Sequence, residues 1–420
     1  ERLTFNAGAS ANIIAGNEPD RRMNYLSSEE SGVLHPTKGT GRQQRYFSKL
    51  NESDFNLKIG FSYKLSDEED NKSTINFGYN GRLVNRSFEA IEYDQQVINQ
   101  PNFNLNRFQL DDFFNQKNLD ANDFMLDRNK DEYTVDKFVN SLYGEIVYQL
   151  NSKVIGIVGT RIDKVNMNVD YNVNRGGTQG ITKIDDLYFL PSLNLKYDLT
   201  EKNSIRLGAS RTYTLPQAKE ISPFRYVDVS FKSQGNPDLK SSINYNLDLK
   251  WDYYMMSDEL LTVTGFYKHI MNPISRVEKA SAGGFLTYDN IADKATIAGI
   301  EIEIRKNIFK TTNEESGRIN KLSAGINSSY ILTHIKLQDA NFTNDESQLE
   351  GAAPLIVKAD LSYNINKNAF SLTSSIILNY FSDRIYTIGT QGYQDILENG
   401  IPTLDFVSSA KINKHWGINL

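Results

Sequence analysis

The chain has 420 residues, of which 39% are apolar and 23% charged, and it carries a net charge of −6. It contains no cysteine, which excludes disulfides, thiol nucleophiles and cysteine metal sites, and no two of its four histidines stand at ligand spacing. The mildly acidic balance gives no nucleic-acid-binding footprint. No apolar run approaches the roughly 20 residues of a membrane-spanning helix, so any membrane insertion must use strands.

Period-2 alternation of apolar and polar residues is the strongest local pattern. In residues 243–253 and 165–171 every second side chain is apolar or aromatic, which predicts strands with one polar and one apolar face. Most such segments run for about ten to twelve residues, beyond the 5–6 typical of soluble sheets. At ~3.3 Å per residue and a tilt near 40°, each strand rises about 27 Å, close to the apolar band of an outer membrane.

Fifteen strands are predicted in this way, joined alternately by short turns and long loops. The strands are placed near residues 3–14, 54–65, 74–86, 139–150, 153–171, 187–198, 204–214, 243–254, 260–270, 297–308, 321–335, 354–365, 369–381, 403–412 and from about 417. Long outer loops are predicted near residues 15–53, 87–138, 172–186, 215–242, 271–296, 336–353 and 382–402. Transmembrane barrels show this parity because their periplasmic turns are short and their outer loops long.

We therefore predict an all-β fold in which residues 1–420 form part of one transmembrane antiparallel β-barrel domain. Tyrosines near the strand ends are expected to form its interfacial girdles, where the ring sits at headgroup level. Tyr148, Tyr171, Tyr188 and Tyr213 are among them.

Four motifs carry a resemblance to a known family. The chain reads F-L-P-S-L-N-L-K-Y-D-L-T at residues 189–200, Q-G-N-P-D-L-K at 234–240, G-F-Y-K-H-I-M-N-P-I at 265–274 and I-A-G-I-E-I-E-I-R-K at 297–306. These segments resemble the barrel of TonB-dependent outer-membrane receptors, in the style common among Bacteroidota. The resemblance extends over roughly residues 139–420, and the N-P-D turn is expected to shape a loop rather than to bind a ligand.

The resemblance implies a 22-stranded barrel around an N-terminal plug domain, with a TonB-contacting segment before the plug. The chain is expected to supply about 14–15 of these strands and neither the plug nor that segment, as a truncated receptor would. The partial sheet alone would leave open edges, which lipid does not tolerate.

The implied function is energised import of a scarce nutrient, such as a siderophore, glycan, peptide or cobalamin-like ligand, across the bacterial outer membrane. The implied partners are outer-membrane lipid and lipopolysaccharide, the TonB complex through the missing N-terminal part, and a surface lipoprotein lid in glycan or peptide importers of this type. No enzyme activity, cofactor or metal is expected, since phosphate-loop, nucleophile-elbow and metalloprotease motifs are absent from the sequence. A passive porin-like barrel and a structural or adhesive β protein of the cell surface stay open as alternatives.

Aromatic, charged and amide side chains near the predicted mouth are the candidate ligand contacts, because outer loops are polar and mounted on a rigid scaffold. They are Phe224, Arg225 and Tyr226 in one loop and Phe285, Tyr288 and Asn290 in the next. An aromatic–arginine mixture suits sugar stacking or a metal–chelate anion about equally. Loop packing is the plainer interpretation of the same positions.

Two charged segments also fall in predicted loops. Arg21, Arg22 and residues 38–45 make the first loop basic, which suits anionic lipopolysaccharide or an anionic ligand, although an ordinary loop accounts for it as well. The acidic residues 120–132 are interpreted as a solvated outer loop, because they lack the alternating ligands and central glycine of a calcium loop.

Overall fold

One large antiparallel sheet accounts for most of the computed structural model, which describes residues 2–28, 34–37, 43–68, 71–98, 110–174, 177–227, 231–279, 285–314, 316–338, 341–367, 369–413 and 415–420. In chain order the strands are β1 (Leu3–Asn24), β2 (Leu26–Ser28), β3 (Leu34–Pro36), β4 (Gln43–Lys64), β5 (Thr74–Val97), β6 (Phe124–Gln149), β7 (Val154–Val173), β8 (Thr178–Thr200), β9 (Asn203–Thr214), β10 (Arg225–Val227), β11 (Lys232–Gln234), β12 (Ser242–Met256), β13 (Glu259–Met271), β14 (Ile274–Lys279), β15 (Phe285–Asn290), β16 (Lys294–Asn313), β17 (Arg318–Lys336), β18 (Glu346–Ser347), β19 (Leu355–Lys367), β20 (Phe370–Phe381), β21 (Arg384–Thr387), β22 (Ile396–Glu398), β23 (Pro402–Ile412) and β24 (Trp416–Asn419).

Helix is confined to short segments of the described chain. These are α1 (Leu110–Phe113), α2 (Gln116–Asp120) and α3 (Ala218–Ile221). Within the described ranges, no helix has the length and apolar character needed to cross a membrane.

Fifteen strands form what we call the wall, in the order β1-β4-β5-β6-β7-β8-β9-β12-β13-β16-β17-β19-β20-β23-β24. Each pairs antiparallel with the wall strands before and after it in the chain, as expected when one turn or loop joins neighbours. They correspond one to one, and in order, to the fifteen strands predicted from alternation. The prediction of an all-β antiparallel fold is confirmed.

The strands of the first half of the wall run further than the sequence predicts. The long loop predicted at 15–53 shrinks to residues 25–42, because β1 continues to Asn24 and β4 begins at Gln43. The loop predicted at 87–138 shrinks to residues 98–123. The long loop predicted at 172–186 is wrong, because β7 ends at Val173 and β8 begins at Thr178. The later connections run over residues 215–241, 272–293, 337–354 and 382–401.

These extensions lack the continuous apolar outer face that the alternation pattern follows along the rest of the wall. Asn85 Nδ2 donates to Asp136 Oδ1 at 2.6 Å between β5 and β6, and Lys130 Nζ lies 3.0 Å from Glu89 Oε2. Cross-strand pairs of this kind support a ladder without apolar contacts. The acidic residues 127–132, predicted to be loop, accordingly belong to β6.

The outer face of the wall carries an apolar band with a sharp limit. Phe55, Leu83 and Phe138 stand in register on β4, β5 and β6, and each exposes between 40% and 46% of its surface. Two residues further along each strand, on the same face and again in register, positions 53, 85 and 136 are serine, asparagine and aspartate. A contiguous exposed apolar surface with a polar rim is typical of a face that contacts lipid or protein.

Beyond this limit the apolar residues change to the inner face of the wall. In β7 Val158 and Ile162 are exposed on the outer face, whereas Val165 and Val169 are fully buried on the inner face. Val169 shares a core with Ile221 of α3. The switch therefore marks the level at which the connections fold inside the wall.

Some tyrosines predicted for the girdle lie inside instead. Tyr171 and Tyr188 are buried, and Tyr213 stacks on Tyr188 with ring centroids 3.9 Å apart. The Tyr213 hydroxyl also donates to Asp163 Oδ2 at 3.0 Å. Tyr148, by contrast, exposes 53% of its surface. Position near a strand end is therefore insufficient, because the parity of the residue decides which face it occupies.

The inner core can be tested with two neighbouring substitutions. Val169→Asp places a charge without a partner in that core and should cost on the order of 3–5 kcal/mol of local stability. Asn168→Asp adds the same charge on the exposed outer face and should have little effect. The rate of trypsin cleavage after Lys219 and Arg225 measures how far α3 and β10 detach from the inner core. Equal cleavage in the two variants would contradict the assignment of faces.

Candidate functional site

Two connections predicted as separate outer loops meet in one small sheet on the inner face of the wall. Strands β10 and β11 come from residues 215–241, and β14 and β15 from residues 272–293. β11 pairs in parallel with β15, whereas the β10–β11 and β14–β15 pairs are antiparallel. We call these four strands the loop sheet. All six predicted contact residues lie in it or directly beside it.

The aromatic members of the predicted set form the base of the loop sheet. Phe224 is fully buried, with its ring centroid 5.2 Å from that of Phe88 and 5.8 Å from that of Tyr133. Tyr226 packs on Phe88 and donates its hydroxyl to the Tyr133 hydroxyl at 3.2 Å. Tyr288 is buried in the same core. Burial raises the pKa of Tyr226 and of Tyr288 above the usual value, so both stay neutral donors.

The polar members of the predicted set hold the loops together. The Arg225 guanidinium lies 4.3 Å from the centre of the Phe285 ring, which joins β10 to β15. Asn290 accepts from the Lys240 backbone N–H at 2.8 Å and donates to the Asn272 carbonyl at 3.0 Å. Loop packing is thus an observed role of these three residues.

The Q-G-N-P-D-L-K segment fixes α3 against the loop sheet. The Asn236 N–H donates to the Glu220 carbonyl at 2.6 Å, and its side chain donates to the Tyr288 carbonyl at 3.0 Å. A Cβ at Gly235 would lie 2.0 Å from the Ser222 carbonyl oxygen, so only glycine fits. The motif therefore shapes the loop.

A cavity of about 400 Å³ lies between the loop sheet, the inner face of the wall and β21. Its size falls within the range of small-molecule sites. Of the predicted residues, Tyr226 and Tyr288 line it. The aromatic lining consists of Tyr46, Phe88, Tyr226, Phe231, Tyr288 and Tyr386.

The charged lining of the cavity is mainly positive. It consists of Arg21, Lys219, Arg276 and Glu18. Arg21 is paired with Glu18 at 2.9 Å and lies over the Tyr46 ring at 4.6 Å. The four side chains together carry two net positive charges in a chain whose total is −6. Such a local excess attracts anions.

Arg276 is held in place from two sides. Its guanidinium lies 4.3 Å from the centre of the Tyr386 ring and 3.5 Å from Glu350 Oε1. Its backbone N–H donates to the other oxygen of Glu350. Its Nε is buried and has no hydrogen-bond partner among the residues that the structure describes. The guanidinium is therefore oriented and retains donor capacity.

Two half-buried carboxylates, Glu220 and Glu350, lie close enough to Arg276 to feel its charge. Burial raises the pKa of Glu350 and of Glu220, although Arg276 opposes the shift in both. Neither carboxylate belongs to the cavity lining, and Glu220 Oε2 accepts from the Gln217 N–H at 2.8 Å. The cavity lining thus includes the cations and excludes these two acids.

Sequence reasoning found some of this site and missed the rest. It noted the basic charge of Arg21, which lies in β1 and lines the cavity. Arg22 instead pairs with Asp20 and Asp111, and residues 38–42 lie outside the described residues. Arg276, Phe231 and Tyr386 were missed, because no periodic pattern distinguishes them from loop residues.

Metal ligation finds no support in the described ranges of the chain. No group of three or more histidine, aspartate or glutamate side chains there could hold a metal ion.

The clamp at Gly235 can be tested by adding one methyl group. Gly235→Ala should destabilise the loop sheet by about 1–3 kcal/mol, because the methyl meets backbone rather than a flexible side chain. Gly265→Ala is the matched control, since open space surrounds its Cβ position. Hydrogen exchange at the Asn236 amide should accelerate only in the first variant. An unchanged rate would show that the contact is relieved at no cost.

Glu220 makes the local stability of α3 depend on pH. A carboxyl whose pKa is raised by folding binds more protons folded than unfolded, so stability falls as pH rises through that window. Glu220→Gln should slow exchange of the Ser222 amide at pH 7.5 and flatten its pH dependence above the usual glutamate value. Glu201→Gln, in an exposed turn, is the control. An identical pH profile for Glu220→Gln and the unmodified chain would refute this role.

Comparison with known proteins identifies the fold. The family model described as "TonB dependent receptor-like, beta-barrel" matches residues 3–420. A search of curated proteins gives no match. The barrels of this family lie in the outer membrane, and family and fold are those of transport receptors. The Bacteroidota style of the motifs stays a prediction.

Solved structures agree on the fold. The chain is similar to the ferric yersiniabactin uptake receptor FyuA from Yersinia pestis, at 13% identity and a TM-score of 0.51, covering 100% of this chain and 62% of that one. The copper transporter OprC is 12% identical with a TM-score of 0.57, and the match covers 100% of this chain and 55% of that one. BauA, the ferric preacinetobactin receptor from Acinetobacter baumannii, is 12% identical with a TM-score of 0.55, and the match covers 98% of this chain and 54% of that one. The chain thus spans less than two thirds of each. It belongs to the TonB-dependent receptor-like β-barrel family.

Proposed function

We propose that this chain forms the barrel wall and the ligand-binding loops of an outer-membrane receptor, which imports a scarce nutrient with energy delivered through TonB. The observation that carries the proposal is the pairing of an exposed apolar band on the outer face with a loop-lined cavity on the inner face. A passive pore needs the band but has no use for a loop-lined binding cavity.

The apolar band supports integral insertion in the outer membrane. Its exposed side chains alternate with inward polar ones along each strand, as in lipid-facing barrels. Leu142 on β6 exposes 63% of its surface and Leu249 on β12 exposes 55%. The polar row above Phe138 would then lie at headgroup level, where lipopolysaccharide is the expected neighbour.

The loop sheet supports a receptor role for the inner face. It rests on β5 to β8 through a continuous apolar core, so its cavity keeps one shape in the absence of ligand. The similar solved structures are named for ferric siderophores and for copper. A metal chelate is accordingly the ligand class that we favour, ahead of glycans, peptides and cobalamin. Tyr226 and Tyr288 are the predicted contacts that would touch it. A surface lipoprotein lid remains a further proposal, on the family resemblance alone.

The test is uptake by cells that make the natural full-length protein. We expect the protein to resist alkaline carbonate extraction, to shift in a gel on boiling, and to support growth under iron or copper limitation. That growth should be lost when TonB is deleted.

Other outcomes point to other functions. Growth that survives deletion of TonB would indicate a passive porin. Extraction as a soluble species without a heat shift would overturn the membrane assignment and leave a structural or adhesive surface protein.

A further inference from the structure

We propose that the cavity between the loop sheet and the wall selects a compact anion with a planar conjugated group, held between Arg21 and Arg276. This proposal rests on the proposed function and narrows its ligand. It depends on where the charges and rings of the lining stand.

The cations come from two different parts of the chain. Arg21 is fixed on β1 by Glu18 and the Tyr46 ring, and Arg276 on β14 by Glu350 and the Tyr386 ring. Both guanidiniums are therefore oriented before a ligand arrives. An arginine fork matches a carboxylate or an enolate-like oxygen pair through two parallel hydrogen bonds.

Neutralisation by the protein is incomplete. Among the described residues Glu18 is the one carboxylate in the lining, and it pairs with Arg21 and accepts from Ser48 Oγ at 3.4 Å. Arg276 keeps its buried Nε without a partner among the described residues. Because the lining carries three cations and one carboxylate among the described residues, a bound anion would offset the remaining positive charge, which a neutral ligand cannot do.

Aromatic rings supply six of the lining side chains among the described residues. Phe231 and Tyr386 lie with centroids 5.6 Å apart at 33°, and Tyr226 stacks on Phe88 at 5.9 Å and 29°. Rings arranged in this way favour a planar partner through offset stacking. Stacking beside a guanidinium also suits an extended π system.

The same lining disfavours sugars and long peptides. Sugar sites need several amide and carboxylate groups for hydroxyl hydrogen bonds, yet the lining contains no asparagine or glutamine among the described residues. A volume of about 400 Å³ also limits the ligand to one compact group. That group can be a whole small ligand or the anionic part of a larger chelate.

Three small probes separate the two features of the proposed ligand. Salicylate is anionic and planar, salicylamide is planar without the carboxylate, and cyclohexanecarboxylate is anionic without a conjugated ring. Binding to the detergent-purified full-length receptor at neutral pH is measured by ligand-observed NMR. We expect salicylate to bind about tenfold more tightly than salicylamide, since one charge-assisted hydrogen bond accounts for about that factor. Salicylate should also bind more tightly than cyclohexanecarboxylate, because only salicylate has a conjugated ring that can stack on the aromatic lining.

Substitutions locate the binding. Arg276→Gln and Arg21→Gln should each weaken salicylate by about tenfold, and Tyr386→Leu should reduce its preference over cyclohexanecarboxylate. Arg45→Gln is the matched control, because Arg45 also pairs with an acid, Asp20, and lies over a ring, Phe47, but stands outside the cavity. An unchanged heat shift in the gel shows that each variant still folds.

The outcomes distinguish this proposal from the proposed function. Equal binding of the three probes, or equal loss in Arg45→Gln and Arg276→Gln, would overturn the ligand class while TonB-dependent uptake still stands. Salicylate binding that follows the predicted variants supports the ligand class even where uptake fails.

Discussion

The structure depends on one constraint, the pairing of every wall strand's backbone groups with a neighbouring strand. A strand can present apolar side chains to lipid only when its N–H and C=O groups are already hydrogen-bonded. In the wall this pairing continues without interruption through the apolar band and on into the polar extensions of β5 and β6, where residues 74–97 stay in register with 124–147. The band and the cavity are consequences of what the side chains on each face of this ladder contact.

The change of apolar face within single strands links the membrane band to the binding site. In β7 the exposed apolar positions of the outer face end at Ile162, and the buried apolar positions of the inner face begin at Val165. Below that point the hydrophobic surface faces outward, and above it the hydrophobic surface is covered by α3 and the loop sheet. The same ladder can thus face lipid at one level and support the loops of the proposed binding site at the next. Rigidity matters for the site because two oriented arginines would otherwise need ordering when a ligand binds.

The strands of the wall were predicted well from the sequence, whereas the residues at which the long loops begin and end were predicted poorly. Segments such as 243–253 have one apolar face, and alternation located each of the fifteen strands. The extensions at residues 87–97 and 124–137 lack the continuous apolar outer face of such segments, so the pattern ended where the apolar band ends. The alternation continues in the opposite phase on the inner face, at Val135, Val165 and Val169, and this second phase is the signal in the sequence that marks the extensions. Residues 165–171 were correctly recognised as strand, although the apolar side points inward rather than to the outer surface.

The site shows why the types of residue in the predicted loops identified only part of the cavity lining. The six predicted residues do come together, yet most of them support the loop sheet, and Tyr226 and Tyr288 alone reach the cavity. Arg276 and Tyr386 are far apart in the chain and meet because β14 and β21 approach through one bridge, between Val277 and Ile388. No local spacing encodes such a contact. An arginine that a carboxylate and a ring hold in the lining of a cavity is a property of the tertiary fold, and in this chain that fold brings scattered loop residues together at the proposed anion site.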